Sequence, residues 1–380
     1  MKKQKIAIVI KTSIQFDGRV ISQIDILSKH FNKSEFKVFL LSDASYNIKF
    51  GNNCMIDEIS LWSRKLPKSN IFQAFKMLEF GIRAFFKISR FKPQILHVHD
   101  DSAILGGILT KIFYPQNILI YDDHELKYIR PNKLSDKLMF FLENILYKKS
   151  DMVIVANNER KRLASVIYNR KNIEVHENYF YNRVTNKNKT DSLIKLTNKI
   201  NLLHLGGHKI LLHQGQINEV RGLNDFILLV NNLPENFKLL LIGINYFQYK
   251  QIINCVSPFK HEAVIFGDYI DYEHISEIYK IIDYSLIIYK NYNLNNKYCA
   301  PNRVYLSYYF GKPIIVNYEN HVLFNFIKKT KSGVTFHTNS DLIKVFNELT
   351  EQSTLVNHSF VRNDNNPKKI IDIYHKLIIQ

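Results

Sequence analysis

Four stretches of this chain gather residue types that can do chemistry. The first is Leu211-Leu212-His213-Gln214-Gly215-Gln216-Ile217-Asn218-Glu219-Val220-Arg221-Gly222. An apolar run ends in a glycine turn, and an Arg-Gly pair then opens a helix-length segment. Glycine lets backbone approach a ligand closely. A helix N-terminus attracts phosphate, and arginine adds a bidentate charge. On these residues alone, Gly215 and Gly222 can equally be turn formers and Arg221 a solvated side chain. The second stretch, Tyr298 to Val316, holds Pro301-Asn302-Arg303 and later Gly311-Lys312-Pro313. Proline suits the first turn of a helix and glycine its end, which bounds a short helix leading into a strand. A cation such as Arg303 is unfavourable at a helix N-terminus unless an anion is present. The third is Tyr121-Asp122-Asp123-His124-Glu125, directly after an apolar run, with Leu96-His97-Val98-His99-Asp100-Asp101 as its parallel. Polar groups at the carboxyl end of a strand are well placed for a site. His97 and His99 share one strand face and can suit a metal, but no third ligand stands at metal-like spacing. The fourth is Trp62–Lys92, with Leu66, Ile71, Phe75, Leu78, Ile82 and Phe85 at helical spacing and Lys76, Arg83, Lys87 and Arg90 beside them. That combination suits a membrane interface or a buried face with a solvated edge.

The elements that must position these residues alternate along the chain. Strands are expected at Lys5–Ile10, Phe36–Leu41, Ile95–His99, Ile118–Tyr121 and Met152–Ala156, with helices at Arg19–His30, Ile71–Ser89 and Lys133–Lys148. The polar stretch Tyr181–Asn198 reads as a linker or mobile loop. The alternation restarts with strands at Ile210–His213, Leu239–Ile242, Ala263–Phe266, Tyr284–Ile288 and Pro313–Val316, and helices at Gly222–Asn231, Tyr272–Ile281, Asn302–Phe310, Leu342–Leu349 and Pro367–Ile379. This is the pattern of parallel sheets covered on both faces. It predicts two α/β halves whose strand ends carry the ligands.

Composition narrows the class. A chain of 380 residues with 46% hydrophobic positions buries a large core and is not a disordered tail. Cys54, Cys255 and Cys299 are too few and too far apart for a disulfide framework or zinc cluster, which fits a reducing compartment. The basic start Met1 to Lys5 leads only into Ile6–Ile10, which reads as a first strand rather than a signal peptide. The charge is lopsided: residues 1–200 hold 34 Lys/Arg against 19 Asp/Glu, and residues 201–380 hold 18 against 15. A basic half suits an anionic membrane surface, nucleic acid or an acidic ligand. No nucleic-acid recognition module is present, so no nucleic-acid partner is expected.

Together, these motifs resemble the GT-B glycosyltransferases, specifically the large retaining family 4 of the cell-surface polysaccharide and lipopolysaccharide type, over nearly the whole chain. The resemblance rests on Asp17-Gly18-Arg19-Val20, Ile95–Asp100, Tyr121–Glu125, Asp151–Asn157, Asn178, Gln214–Gly222, Leu239–Gly243 and Pro301–Pro313, in order and at family-like spacing. It implies an α/β GT-B fold, two Rossmann-like domains facing a central cleft. Residues 1–198 would form an acceptor domain, joined by residues 365–380 as a helix crossing back. Residues 199–364 would form the donor domain. Arg221 would neutralise the donor diphosphate and support the leaving group, and His124 would lie near the donor sugar. Gly215, Gln216, Gly243, Pro301, Asn302 and Arg303 would line the donor site. Asp17, Gly18, Arg19, His99, Asp122 and Glu125 would line the acceptor side. The reaction implied is retaining, metal-independent transfer from a nucleoside-diphosphate sugar, with no cofactor. The acceptor would be a lipid-linked or anionic cell-surface glycan on the inner face of the cytoplasmic membrane. The family's ribose-binding Glu is replaced by Leu306, its paired Glu by Tyr298, and an Arg common in the family by Gln216. The alternatives are an enzyme of nucleotide-sugar-epimerase type and a non-catalytic membrane- or glycan-binding protein.

Overall fold

In the first half of the chain, short β-branched runs build one parallel sheet. Lys5–Ile10 (β1), Glu35–Leu41 (β2), Cys54–Ile59 (β3), Ile95–His99 (β4), Ile118–Asp123 (β5), Met152–Val155 (β6) and Ile173–Val175 (β7) pair in the order β3-β2-β1-β4-β5-β6-β7. The computed structural model describes residues 4–11, 14–42, 48–67, 69–126, 133–183, 189–337, 341, 344–346 and 365–378. A continuous apolar run such as Ile6–Ile10 is what a strand covered on both faces requires, and all five side chains are fully buried.

The second half builds a six-stranded parallel sheet. Its strands are Lys209–Gln214 (β8), Phe237–Ile242 (β9), Val264–Phe266 (β10), Tyr284–Ile287 (β11), Ile314–Asn317 (β12) and Gly333–Phe336 (β13), in the order β10-β9-β8-β11-β12-β13. Two compact units result, Met1–Glu177 with Asp364–Gln380, and Asn178–Asn363. Residue 198, set at a boundary by the sequence reading, lies inside a helix of the second unit. The C-terminal part of the stretch read as a linker belongs to that helix, Asp191–Leu205, whose first turn is capped by the Thr190 hydroxyl. The helix buries Leu193, Leu196 and Ile200 against β8 and β9 residues, a period that the surrounding Asn and Lys had hidden. Most of the helix expected over Leu342–Leu349 lies outside the described residues.

The strands β3, β7 and β13 went unread because each lies at a sheet edge, where one neighbour is missing and polar residues interrupt the run. In the first unit the helix Gly18–His30 is buried along almost its whole length despite its Ser, Gln and Asp content. The C-terminal helix Asn365–Ile378 lies across it, with Phe31 and His30 against Tyr374 and His375. Lys369–Glu177 and Lys376–Glu174 ion pairs flank that packing.

Candidate functional site

The period-2 alternation of a strand decides the chemistry at the end of β5. Tyr121 and Asp123 face the helix Leu134–Lys149, whereas Asp122 faces the opposite layer. Asp123 accepts from the Tyr147 hydroxyl at 2.6 Å. Glu143 beside it accepts from Tyr121 at 3.0 Å and from Tyr168. Burial pushes Asp123 up to about 6 against the pull of the Tyr147 hydroxyl, and burial also raises Glu143, with Asp123 adding to it. Asp122 behaves in the opposite sense. Burial, the largest single influence, would raise it, but the Arg19 charge and hydrogen bond together with neighbouring His124 and His99 outweigh that and hold it well below the usual carboxylate range.

That guanidinium arrives from the helix after β1, where the Asp17 carboxylate caps the first turn through the Val20 amide. Arg19 grips Asp122 with both arms, at 3.2 and 2.7 Å, and donates to the His176 carbonyl at 2.7 Å. Gln23 adds a bond to Asp122 at 2.8 Å. His97 and His99 stack with ring centroids 4.1 Å apart. Tyr374 of the C-terminal helix bonds His97 at 2.9 Å, and His99 meets His124 at 3.2 Å. Of the expected acceptor-side groups, Arg19, Asp122, His99 and Gly18 are therefore buried, with the Arg19–Asp122 pair neutralised internally. His124, Asp17 and Glu125 stay partly exposed, and His124 Nδ1 lies 4.0 Å from Asp17.

His97, His99 and Asp122 also form the metal-sized set that sequence spacing lacked, since Asp122 comes from the neighbouring strand opposite His99. Both Asp122 oxygens already accept from Arg19, so a cation there would sit against a guanidinium. The donor set does not suit a metal.

The buried histidines set a pH dependence. Burial depresses His97 to about 4 and His176 to about 3, and places His99 and His213 well below the ordinary value. For a base with a depressed folded-state pKa, the unfolded chain binds more protons. Stability is then lost as pH falls from about 6.5 towards the folded value, by about 2 kcal/mol for His97 alone between pH 7 and pH 5. Asp123 and Glu143 act oppositely, with a contribution present at low pH and lost as pH rises. The four histidines outnumber them, so the melting temperature should fall from pH 7 to pH 5. A rise over that interval in a thermal-unfolding series would contradict the buried neutral cluster.

In the second unit, β8 ends at Gln214 and the chain turns through Gly215 with φ 104°. A Cβ there would stand 3.7 Å from Arg221 Nη1 and 3.9 Å from Arg303 Nη1, so two guanidiniums flank a bare stretch of backbone. Gly243, at φ 77°, packs so close that a Cβ on it would lie 3.1 Å from the Gly215 nitrogen. Asn218 caps the turn carrying Arg221, and Gly222 closes it at φ 78°. Arg303 reaches back from the helix Asn302–Tyr309 to the Gln214 carbonyl. Its guanidinium and that of Arg221 lie 5.1 and 5.8 Å from the Tyr289 ring. Arg303 Nη2 is a buried donor with no acceptor among the described residues. Neither arginine has a carboxylate partner among them, whereas nearby Lys290 takes both Asp225 and Glu319.

The loop before this helix is pinned by amides. Asn178 donates to the Ala300 carbonyl at 2.8 Å, and Asn320 donates to the carbonyls of Asn296 at 2.7 Å and Cys299 at 3.2 Å. That fixes Pro301 and Asn302, both half-buried, at the helix start. Gln216 is exposed beside the turn. Leu306 is in the core with Leu212 and Ile210, so no hydrogen-bonding group stands at that helix position. Tyr289 and His213 were assigned no role from sequence. Their signal was position, two residues past the end of β11 and near the end of β8, where parallel sheets place site residues.

No protein-family model matches the chain, and no curated relative matches its sequence. Solved structures do match. Sucrose-phosphate synthase from Thermosynechococcus elongatus superposes with a TM-score of 0.71 at 13% identity, over 99% of this chain and 100% of that one. HepE of Anabaena, solved in complex with UDP and glucose, gives 0.69 at 13% identity, over 99% and 98%. A structure described as a UDP-N-acetylglucosamine 2-epimerase of Listeria monocytogenes gives 0.66 at 13% identity, over 99% and 97%. The fold is GT-B, two Rossmann-like α/β units.

Proposed function

We propose that the protein is a glycosyltransferase that moves a sugar from a nucleoside-diphosphate sugar to a growing cell-surface glycan. One observation carries this reading. Arg221 and Arg303 flank the Gly215 backbone without any carboxylate partner among the described residues, and Arg303 holds a buried donor in reserve. Two adjacent like charges in a partly desolvated site are costly unless an anion joins them. A diphosphate, with its paired anionic groups, satisfies both. The UDP held by HepE, of the same fold, supports a nucleotide donor.

In this reading the second unit binds the donor. As the glycosidic bond to the diphosphate breaks, negative charge grows on the departing oxygen. The fixed guanidiniums stabilise that charge without reorganising, which is the most effective form of electrostatic catalysis. Two arginine charges supply the neutralisation that a divalent cation gives elsewhere, which supports a metal-independent reaction, and the resemblance to the retaining family supports retention. The core position of Leu306 leaves ribose recognition to other groups. We assign the acceptor to the first unit, whose partly exposed polar groups at the strand ends are His124, Asp17 and Glu125. The epimerase-like match favours one second reading, in which the same donor site serves isomerisation of the nucleotide sugar.

The test is a thermal-shift screen against nucleoside diphosphates and their sugars, followed by mass spectrometry of the reaction products. A ligand held at 100 times its dissociation constant should stabilise its unit by about 2.7 kcal/mol. One nucleotide series should shift the melting temperature. Glycan lengthening would then support transfer, and an isomerised sugar without an acceptor would support the second reading. No shift with any nucleotide would overturn both.

A further inference from the structure

Arg221 and Arg303, with no carboxylate partner among the described residues, need something else to hold them where they stand. Tyr289 occupies that place. Its ring centroid lies 5.1 Å from the Arg303 guanidinium and 5.8 Å from that of Arg221. Both distances fall within the reach of an aromatic face for a cation, about 6 Å. The ring is buried and joins the apolar cluster of Cys299, Ala300 and Val304. The backbone that carries it is fixed as well. The Tyr289 amide donates to the Asn317 side-chain oxygen at 2.9 Å, and the Asn317 side-chain amide donates to the Tyr289 carbonyl at 2.7 Å. Asn317 ends β12 and is itself buried, so the ring is held to the sheet and not only to its own loop. The other groups around Arg303 are uncharged. It donates to the Gln214 carbonyl, and its Nη1 stands 3.5 Å from His213 Nε2. Burial, then the Arg303 and Arg221 charges, keep His213 neutral by holding it well below its ordinary value. Burial raises the Tyr289 hydroxyl against the pull of both arginines, so it stays neutral too.

We propose that Tyr289 is a positioning residue whose ring holds Arg221 and Arg303 side by side, oriented but not neutralised, before an anion arrives. The proposal rests on the reading of that pair as a diphosphate site. An aromatic face attracts a cation through its quadrupole yet carries no net charge. A carboxylate in the same place would also hold the arginines, but it would cancel the charge that the ligand needs. An aliphatic side chain would leave the charge and lose the orientation. Each guanidinium would then sample several rotamers, and ordering them on binding would lower affinity. The ring therefore does in the empty site what the diphosphate does in the filled one. Its effect should be largest for an anion that engages both guanidiniums at once. Pyrophosphate has two linked anionic centres and depends on the relative placement of the arginines. Orthophosphate has one and depends on it less.

The test is calorimetric titration of the full chain with inorganic pyrophosphate and with orthophosphate. It compares wild type, Tyr289→Phe, and a series in which that phenylalanine carries increasing numbers of ring fluorines. Fluorine drains the negative face of the ring with little change of volume, so the packing on Cys299 and Val304 is kept and the variants fold. Tyr289→Phe should bind pyrophosphate within about threefold of wild type, and full fluorination should weaken it roughly tenfold in graded steps. Orthophosphate affinity should fall less, and the ligand-free melting temperature should stay in place. Tyr289→Leu should resemble the fully fluorinated protein. Pyrophosphate affinity indifferent to fluorination, or an equal loss for both anions, overturns the proposal and leaves the nucleotide reading intact. Binding of pyrophosphate, graded by fluorine, without binding of any nucleotide supports the role of Tyr289 and overturns the nucleotide reading. A wild-type protein that binds neither pyrophosphate nor nucleotide overturns both.

Discussion

Asp122→Ala should lower the stability of the first unit by about 3–5 kcal/mol, the cost of leaving a buried charge without its partner. Asp122 is inaccessible and Arg19 nearly so, and the pair is bidentate. Its removal strands a guanidinium among His97, His99 and His176, none of which can neutralise it. With domain stabilities of only about 5–15 kcal/mol, such a loss should appear as a large drop in urea midpoint. The double variant Arg19→Met/Asp122→Leu should recover much of that loss, because an apolar pair of similar volume carries no desolvation cost. A cost for Asp122→Ala below about 1 kcal/mol, the range of an exposed pair, would contradict the buried geometry.

Arg303→Ala and Arg221→Ala should each weaken nucleoside-diphosphate binding by roughly 10- to 100-fold, the worth of one or two charge-assisted hydrogen bonds. The two together should abolish the thermal shift at ligand concentrations that saturate wild type. Arg221 is half-exposed and has no ion pair among the described residues, so its removal should leave the ligand-free melting temperature in place. Arg303 also braces the Gln214 carbonyl, so its loss should loosen the Gly215 turn as well. Calorimetric titration of each variant separates these effects. Full affinity in the Arg221→Ala protein would remove the basis for a diphosphate site at this turn.

Much of this architecture is legible in the chain. Runs such as Ile6–Ile10 and Leu239–Ile242 are apolar at every position, which suits strands covered on both faces. Pro301 and Gly311 bracket a helix by backbone chemistry that depends on no distant contact. Gly215, Arg221 and Arg303 could be singled out because glycine at a strand end, and arginine at a helix start, each conflict with local preference unless a ligand is present. Polar helices such as Asp191–Leu205 were harder, since their apolar positions are sparse and only a sheet beneath them makes those positions count.

By itself, then, the sequence determined the alternation of strand and helix, the two-unit division of labour in charge, and the turns that expose backbone at β8. These follow from short-range sterics and side-chain periodicity. The tertiary structure alone decided three other matters. It made adjacent Asp122 and Asp123 chemically opposite, by sending one to Arg19, 103 residues away, and the other to Tyr147. It put Leu306 in the core. It chose which of two apolar stripes on the helix Asn70–Phe91 meets solvent, exposing Phe75, Leu78 and Ile82 and burying Phe80, Ala84 and Ile88, because that choice belongs to the neighbouring helices and sheet. Ionisation and exposure are set by what lies within a few ångströms, and in a folded chain those neighbours are mostly distant in sequence.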